Sequence, residues 1–246
     1  MKISVVIPAF NEESLLGKCL ESFKRQEFLD EYEIIVVDNA STDHTADVAR
    51  SYGVKLVFEP HKGVVSARRA GANAAKGEII IQADADTSYP ADWLKRLYCY
   101  FLSHPRNLAV SGAYVYDAPP RWAPIEHTFR GLVNLFGSAL LGRPPLVSGA
   151  AFAFCRDAYE KTGGYNENWL NPDQWGIAQH LRQFGLVGYD PHLVCVTSPR
   201  RVWKSLTRII KDIFVHLLSA VQFIFNHIGA TTWVKLKRSI GLSENL

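Results

Sequence analysis

The sequence predicts an α/β protein: a Rossmann-like, mostly parallel central sheet with helices on both faces, followed by a basic amphipathic helical tail. Short Val/Ile-rich runs recur at residues 3–7, 33–37, 55–58 and 79–83. Helical patterns alternate with them, which favours parallel strands joined by crossover helices. The early runs also end in polar residues, at the strand ends where open α/β sheets bind ligands.

Residues 3–7 give the first strand, and Leu15, Leu16, Cys19, Leu20 and Phe23 then repeat at helical spacing. The second and third strands follow at 33–37 and 55–58. Arg68 and Arg69 begin a small-residue helix containing Ala67, Ala70, Gly71, Ala72, Ala74 and Ala75. After the fourth strand, 79–83, a helix follows Pro90 with Trp93, Leu94, Leu97, Tyr98 and Phe101 on one face, and residues 109–116 give another strand. Pro119, Pro120, Pro124, Pro144 and Pro145 punctuate the next stretch, which holds a helix around 126–141. One compact domain to residue 199 and a tail from 200 to 246 are expected.

Composition bounds the class. At 48% hydrophobic and 21% charged residues, 246 residues suffice for one large domain with an appendage. Cys19, Cys99, Cys155 and Cys195 lack C-x-x-C spacing, which argues against a zinc site or disulfide framework and fits free thiols in a reducing compartment. The start, Met1 to Pro8, lacks an apolar stretch of signal length, so a cytoplasmic location is predicted. Net charge is +3, but residues 200–246 carry eight Lys/Arg against two Asp/Glu, leaving nineteen against twenty-two before them. The tail is therefore +6 and the body −3, which calls for an anionic partner.

Asp84-Ala85-Asp86 closes the apolar run 78–83. Alternation along an extended chain points both carboxylates to one side, where hard oxygen donors suit Mg²⁺ or Mn²⁺ against a diphosphate. The competing reading is a solvated acidic turn leading into a helix at Thr87-Ser88-Tyr89-Pro90. Pro8-Ala9-Phe10-Asn11-Glu12-Glu13 follows the first strand and Asp38-Asn39-Ala40-Ser41-Thr42-Asp43 the second. Asp38 either accepts hydrogen bonds from a base or ribose or forms an Asx-turn; Asn39, Ser41 and Thr42 read as turn residues. Arg68 or Arg69, near a helix start, suits phosphate, the other being solvated. Neither G-x-G-x-x-G nor G-x-x-x-x-G-K-[ST] occurs, which weighs against oxidoreductase and P-loop readings.

Taken in order, Val5-Val6-Ile7-Pro8-Ala9-Phe10-Asn11-Glu12-Glu13, Ile35-Val36-Val37-Asp38, Lys62-Gly63 with Arg68, Asp84-Ala85-Asp86, Ser148-Gly149-Ala150 and Gly163-Gly164-Tyr165 resemble the inverting glycosyltransferases of family 2. The resemblance covers about the first 190 residues and implies a GT-A fold. It further implies that Pro8, Ala9, Phe10, Glu12, Asp38, Arg68 and Asp84 hold the nucleotide of a UDP- or GDP-linked sugar. Asp86 and Asp84 would hold the divalent cation, and the Gly149 and Gly164 regions would border donor sugar and acceptor.

Inverting transfer needs a stabilised leaving diphosphate and an acceptor oxygen that loses its proton. The family usually has an acidic pair after the Gly-Gly-aromatic segment. This chain has Asn171-Pro172-Asp173-Gln174, with one acid. Counting back from Gly185 as the helix end puts Asp173 on the first family acid and Gln174 on the second. Asp173 is taken as the base, with Asp190 and Glu167 in reserve, against a simple helix-start role. A lipid-phosphate acceptor, already anionic, would need no base.

In the tail, Ile210, Ile213, Leu217, Val221, Ile224 and Ile228 recur at helical spacing after Arg200, Arg201, Trp203 and Lys204. His216, Ser219, Gln222, Asn226 and His227 make residues 213–234 poor membrane-spanning material. The stretch 200–230 reads either as a helix lying on a membrane, at the inner face of the plasma membrane, or as a face packed on the enzyme or a second subunit. Arg200 and Arg201 serve that surface or an acceptor phosphate; nucleic acid has no supporting motif. The function read here is metal-dependent inverting transfer to a saccharide or lipid-linked acceptor. The alternatives are a polyprenyl-phosphate glycosyl synthase and a catalytically degenerate nucleotide binder.

Overall fold

The computed structural model describes residues 2–169 and 173–201. The chain divides into two compact units, Met1–Pro199 and Arg200–Leu246. Only Arg200 and Arg201 of the second are described, so the expectations for the tail helix and its contacts lie outside the described residues.

The first unit runs β1 (Ile3–Ala9), α1 (Leu16–Lys24), β2 (Tyr32–Asp38), α2 (Thr45–Ser51), β3 (Lys55–Phe58), α3 (Val64–Ala74), β4 (Ile79–Gln82), β5 (Thr87–Ser88), α4 (Trp93–Ser103), β6 (Asn107–Tyr116), α5 (Ala123–Leu141), β7 (Phe152–Cys155), α6 (Arg156–Lys161), α7 (Gln174–Leu181) and β8 (Leu186–Thr197). The eight strands form one sheet in the order β3-β2-β1-β4-β7-β6-β8-β5. β3, β2, β1 and β4 are mutually parallel; β2, β1 and β4 carry the apolar runs of strands inside a covered sheet, and β3, half-exposed, is its edge. β7 is antiparallel to both neighbours and β5 antiparallel to β8, so the complete sheet is mixed.

Alternation divides the core. Val5 and Ile7 pack under α1 and α4 with Leu20, Phe23, Trp93 and Leu97. Val6 faces the other side, with Ala67 of α3, Tyr159 of α6 and Ile177 and Leu181 of α7. Gly71 lets α3 approach the sheet closely: a Cβ there would lie 2.2 Å from Val6 Cγ1 and 2.9 Å from Val37 Cγ2. The small residues of α3 thus set its height above β1 and β2.

Several local expectations change. α3 begins at Val64, so Arg68 stands in its second turn and not at its start. α7 ends at Leu181, and Gly185 lies four residues beyond, against Leu108. Thr87-Ser88 is not a helix start: it pairs with Thr197 and Val196 of β8.

Candidate active site

The C-terminal ends of β1, β2 and β4 lie side by side. Ala9 pairs with Asp38 across β1 and β2, and Val6 with Gln82 across β1 and β4, with Ala83 N–H donating to Val6 O. Asp38 and Asp84 therefore flank the last residues of β1, Pro8 and Ala9.

The loops after β1 and β2 are bound to each other. Asn11, at φ 55°, accepts from Thr42 N–H through Oδ1 (2.8 Å) and donates its own N–H to Ser41 Oγ (3.1 Å). Glu12, a buried residue, donates its N–H to Thr45 Oγ1 (2.7 Å). Asn39 reaches the loop before α3, accepting from Gly63 N–H and donating to Glu59 O and His61 O. Phe10 stays exposed, its ring 4.8 Å from Lys62 Nζ. Asp38 is buried and its Oδ1 accepts from Ser41 N–H three residues on (3.1 Å), one residue beyond the Asx-turn bond, with Oδ2 bonded by no described residue. A short polar side chain that satisfies the turn thus retains a second oxygen at the strand end.

The two acids after β4 are presented by a turn and not by an extended strand. Thr87 N–H donates to Asp84 O (3.2 Å), which folds residues 84–87 back on themselves. Asp84 turns toward α3, where Arg68 Nη2 stands 3.4 Å from its Oδ1. Asp86 instead lines a cavity of about 280 Å³ with Leu15, Lys18, Cys19, Asp117 and Thr197. Both carboxylates are felt by the buried thiols between: burial first, and then Asp84 and Asp86, holds the Cys19 thiol well above its usual range. Burial alternates across the motif, with Ala85 buried between the partly exposed Asp84 and Asp86.

Around Arg68 the site closes. A Cβ on Gly149 would lie 2.8 Å from Gln174 Nε2 and 3.0 Å from Arg68 Nη2, so both donors converge on the face of that glycine. Gln174 Nε2, Arg68 Nε, Ser148 Oγ and Tyr165 OH are buried without a hydrogen-bond partner among the described residues. Burial pushes the Tyr165 phenol up, opposed by Arg68. Gly163 and Gly164, both at positive φ, form the turn that swings Tyr165 inward, and Gly164 packs on the Tyr159 hydroxyl and not on the acids. Glu167 accepts from Ser66 Oγ (2.8 Å) and pairs with Arg69 (3.2 Å), so Arg69 is not simply solvated.

Asp173 is the N-cap of α7: its Oδ1 accepts from Trp175 N–H at 3.1 Å. Asp190 accepts from His192 N–H in a β8 irregularity. Ser198 N–H donates to Asp86 O, just ahead of Arg200 and Arg201 in the chain. The convergence of Gln174 on Gly149 and the Lys18–Asp117 pair (2.6 Å) beside the Asp86 cavity were not foreseen. Gln174 carried one signal, its place where the family has a carboxylate.

A sheet whose parallel strand ends gather an acidic loop, an arginine and an Asp-x-Asp pair has the GT-A plan of enzymes that transfer sugars from nucleotide donors. The model of glycosyl transferase family 2 matches residues 4–163, and the chain belongs to that family. Among solved structures it is similar to the mannosyltransferase PcManGT of Pyrobaculum calidifontis in complex with GDP-Man and Mn²⁺ (TM-score 0.68, 25% identity, 80% of this chain and 56% of that one). It also shares the fold of S. aureus TarS residues 1–349 with UDP-GlcNAc (TM-score 0.66, 18% identity, 80% and 58%). Glycosyltransferase AglE of Haloferax volcanii is 34% identical over 101 residues, 38% of this chain and 33% of that protein. The poly(ribitol-phosphate) beta-glucosyltransferase of Bacillus spizizenii is 38% identical over 106 residues, 40% and 17%. The chain thus matches a third or less of the length of these two relatives.

Proposed function

We propose that this chain is a divalent-cation-dependent inverting glycosyltransferase that moves a sugar from a nucleoside diphosphate to a saccharide or lipid-linked acceptor. The observation that carries the reading is the ion pair of Arg68 with Asp84 beside the end of β1. It joins the Asp38 side of the crevice to the Gly149 side.

Pro8, Ala9, Phe10, Glu12 and Asp38 form the nucleoside side of the site. The exposed Phe10 ring offers the base a stacking face, and Asp38 Oδ2 accepts from base or ribose. Arg68 pairs with Asp84 and adds positive charge where the diphosphate lies. Asp84 and Asp86 fit a hard cation. Among the described residues no third His, Cys, Asp or Glu joins them, which suits Mg²⁺ or Mn²⁺, ions that take one or two carboxylates and complete their shell with phosphate oxygens and water. When bound, that cation neutralises the departing diphosphate; PcManGT was solved with Mn²⁺.

Gly149 leaves the donor sugar room beside Gln174, and the Gly164 turn backs that wall with Tyr165. Asp173 Oδ1 is held by the cap, and Oδ2 takes the proton of an attacking hydroxyl as the anomeric C–O bond to the diphosphate breaks. Arg200 and Arg201 meet an anionic acceptor group. A second reading, a polyprenyl-phosphate synthase, is favoured by the N-cap role of Asp173 and by the amide at Gln174, which accepts no proton. Either reaction belongs in the cytoplasm, at the inner face of the plasma membrane when the acceptor is lipid-linked, with residues 200–230 contributing to that contact.

Thermal-shift screening against UDP- and GDP-sugars with and without Mn²⁺ tests the proposal. The expected result is stabilisation by one nucleotide class that grows with the metal. No shift with any donor, together with no transfer, overturns it.

A further inference from the structure

Helix α5 is amphipathic in the reverse sense. Trp122, Ile125, Phe129, Leu132, Phe136 and Leu140 lie along one outward stripe with exposures from 39% to 84%. Its charged and amide side chains turn inward. Glu126 pairs with Arg130 (2.8 Å), Arg130 donates to Tyr114 O and lies 3.5 Å over the Tyr114 ring, and Asn134 is tied both ways to Leu146. The sequence has thus spent its polar groups on the sheet and left a ridge about 22 Å long, Ile125 to Leu140, to the outside. A single exposed apolar residue is ordinary; a continuous stripe of six is an interaction surface.

The chemistry of the stripe selects its partner. Protein interfaces carry about one hydrogen bond per 100–200 Å² and a polar rim. The outward face of α5 offers one hydroxyl, Thr128 Oγ1, which already donates to Pro124 O (2.9 Å). With nothing left to hydrogen-bond, the face suits hydrocarbon and not another protein surface. Charge agrees. The exposed charged residue next to the stripe is Arg121, beside Trp122, while the helix's own acid, Glu126, is turned in and neutralised. No described helix is long and apolar enough to cross a membrane, so α5 would lie in the plane of the surface, its apolar face about 5–10 Å into the headgroup boundary.

We infer that α5 is a membrane-docking helix that inserts its Trp122-to-Leu140 face into an anionic lipid surface. The site gains from this placement. Asn134 grips Leu146, and Gly137 packs so closely on Pro145 that a Cβ would lie 2.2 Å from its Cδ. The segment running on to Ser148 and Gly149 is therefore fixed to α5, and docking would orient the Gly149 end of the crevice with respect to the bilayer. That last link rests on the glycosyl-transfer reading; the docking surface does not.

The test is co-sedimentation of the full chain with phosphatidylglycerol/phosphatidylcholine vesicles and with pure phosphatidylcholine, at low salt and at 0.5 M salt, where surface electrostatics are screened. The expected result is partition into the anionic vesicles that survives in part at high salt. It falls at least tenfold in Phe129→Glu/Phe136→Glu and is kept in Phe129→Leu/Phe136→Leu, with unfolding midpoints unchanged because both side chains are exposed. Three results would each overturn the inference: no partition of the wild type, equal partition of the glutamate variant, or a dimer that the glutamate variant disperses while vesicle binding is absent. The vesicle readout involves no donor, so it stands or falls separately from the enzymatic reading.

Discussion

Arg68 Nη2 stands 3.4 Å from Asp84 Oδ1, with 7% of the arginine side chain exposed, and fastens α3 to the turn after β4. A guanidinium so placed has been taken out of water, and one partner cannot be removed without stranding the other. Arg68→Ala is expected to cost about 3 kcal/mol of stability and to weaken nucleotide-diphosphate binding at least tenfold. Arg68→Lys should restore part of the stability and little of the binding, since an ammonium cannot serve Asp84 and a phosphate together. Calorimetric titration with UDP and GDP alongside urea unfolding separates the two effects.

Asp84 is paired with Arg68 while Asp86 lines the cavity beside Lys18 and Asp117, so their amides should behave differently. Asp86→Asn is expected to abolish the Mn²⁺-dependent part of donor stabilisation and leave the metal-free part. Asp84→Asn should reduce both, because it also releases Arg68. Thermal shifts at saturating nucleotide, with and without Mn²⁺, read the distinction; an unchanged metal increment in Asp86→Asn removes that residue from the site.

Gly149 is where α3 and α7 meet, and a methyl group there has two donors to displace, at 2.8 Å and 3.0 Å. Gly149→Ala is expected to lower kcat by ten- to a hundredfold, with a stability loss of about 1–3 kcal/mol. Single-turnover transfer and urea unfolding check it together.

Strands β1, β2 and β4 were legible because strands inside a covered sheet must be largely apolar. β7 was not, since Phe152–Cys155 is four residues long. β8 was not either: Asp190, Pro191 and His192 interrupt it, and its pairing with β6 shifts register. β5 exists through its pairing with Thr197, a partner 110 residues away. In the site, the order of motifs gave the acids, the arginine and the glycines. The pairing of Asp84 with Arg68 and the approach of Gln174 to Gly149 arise from packing between elements distant in sequence. The inverted α5 escaped for the opposite reason: a helical period announces an apolar face and is silent on which way it turns.

The four cysteines are free and differ in environment. Cys99 is exposed, while burial first, then Asp157, pushes the Cys155 thiol up to about 11. Burial first, then Asp84, raises Cys19 and Cys195 as well. Iodoacetamide at pH 8 should modify Cys99 quickly, Cys155 slowly and the other two only on unfolding, as peptide mass spectrometry would read. Because these folded-state values are raised, the native chain retains protons that the unfolded chain loses. Stability is therefore full below the unfolded thiol range near pH 9 and falls as pH rises toward 11 through the folded Cys155 value.

Asp173 has two jobs in prospect, and two substitutions part them. Its Oδ1 caps α7 through Trp175 N–H at 3.1 Å. Asn caps as well as Asp, whereas Ala forfeits about 1 kcal/mol. If the carboxylate is the base for a sugar hydroxyl, Asp173→Asn keeps the unfolding midpoint and loses about 10²–10⁴ in kcat, the usual worth of a positioned proton acceptor, and Asp173→Ala loses the same activity plus the cap. If the acceptor is a lipid phosphate, its oxygen is ionised before it arrives. Asp173→Asn then transfers at nearly the wild-type rate, with a pH profile that no longer needs an ionised acid in the enzyme. Measuring kcat for both variants against hydroxyl and phosphate acceptors decides between the chemistries, and the matched cap in Asp173→Asn ensures that a lost rate reports the proton and not the fold.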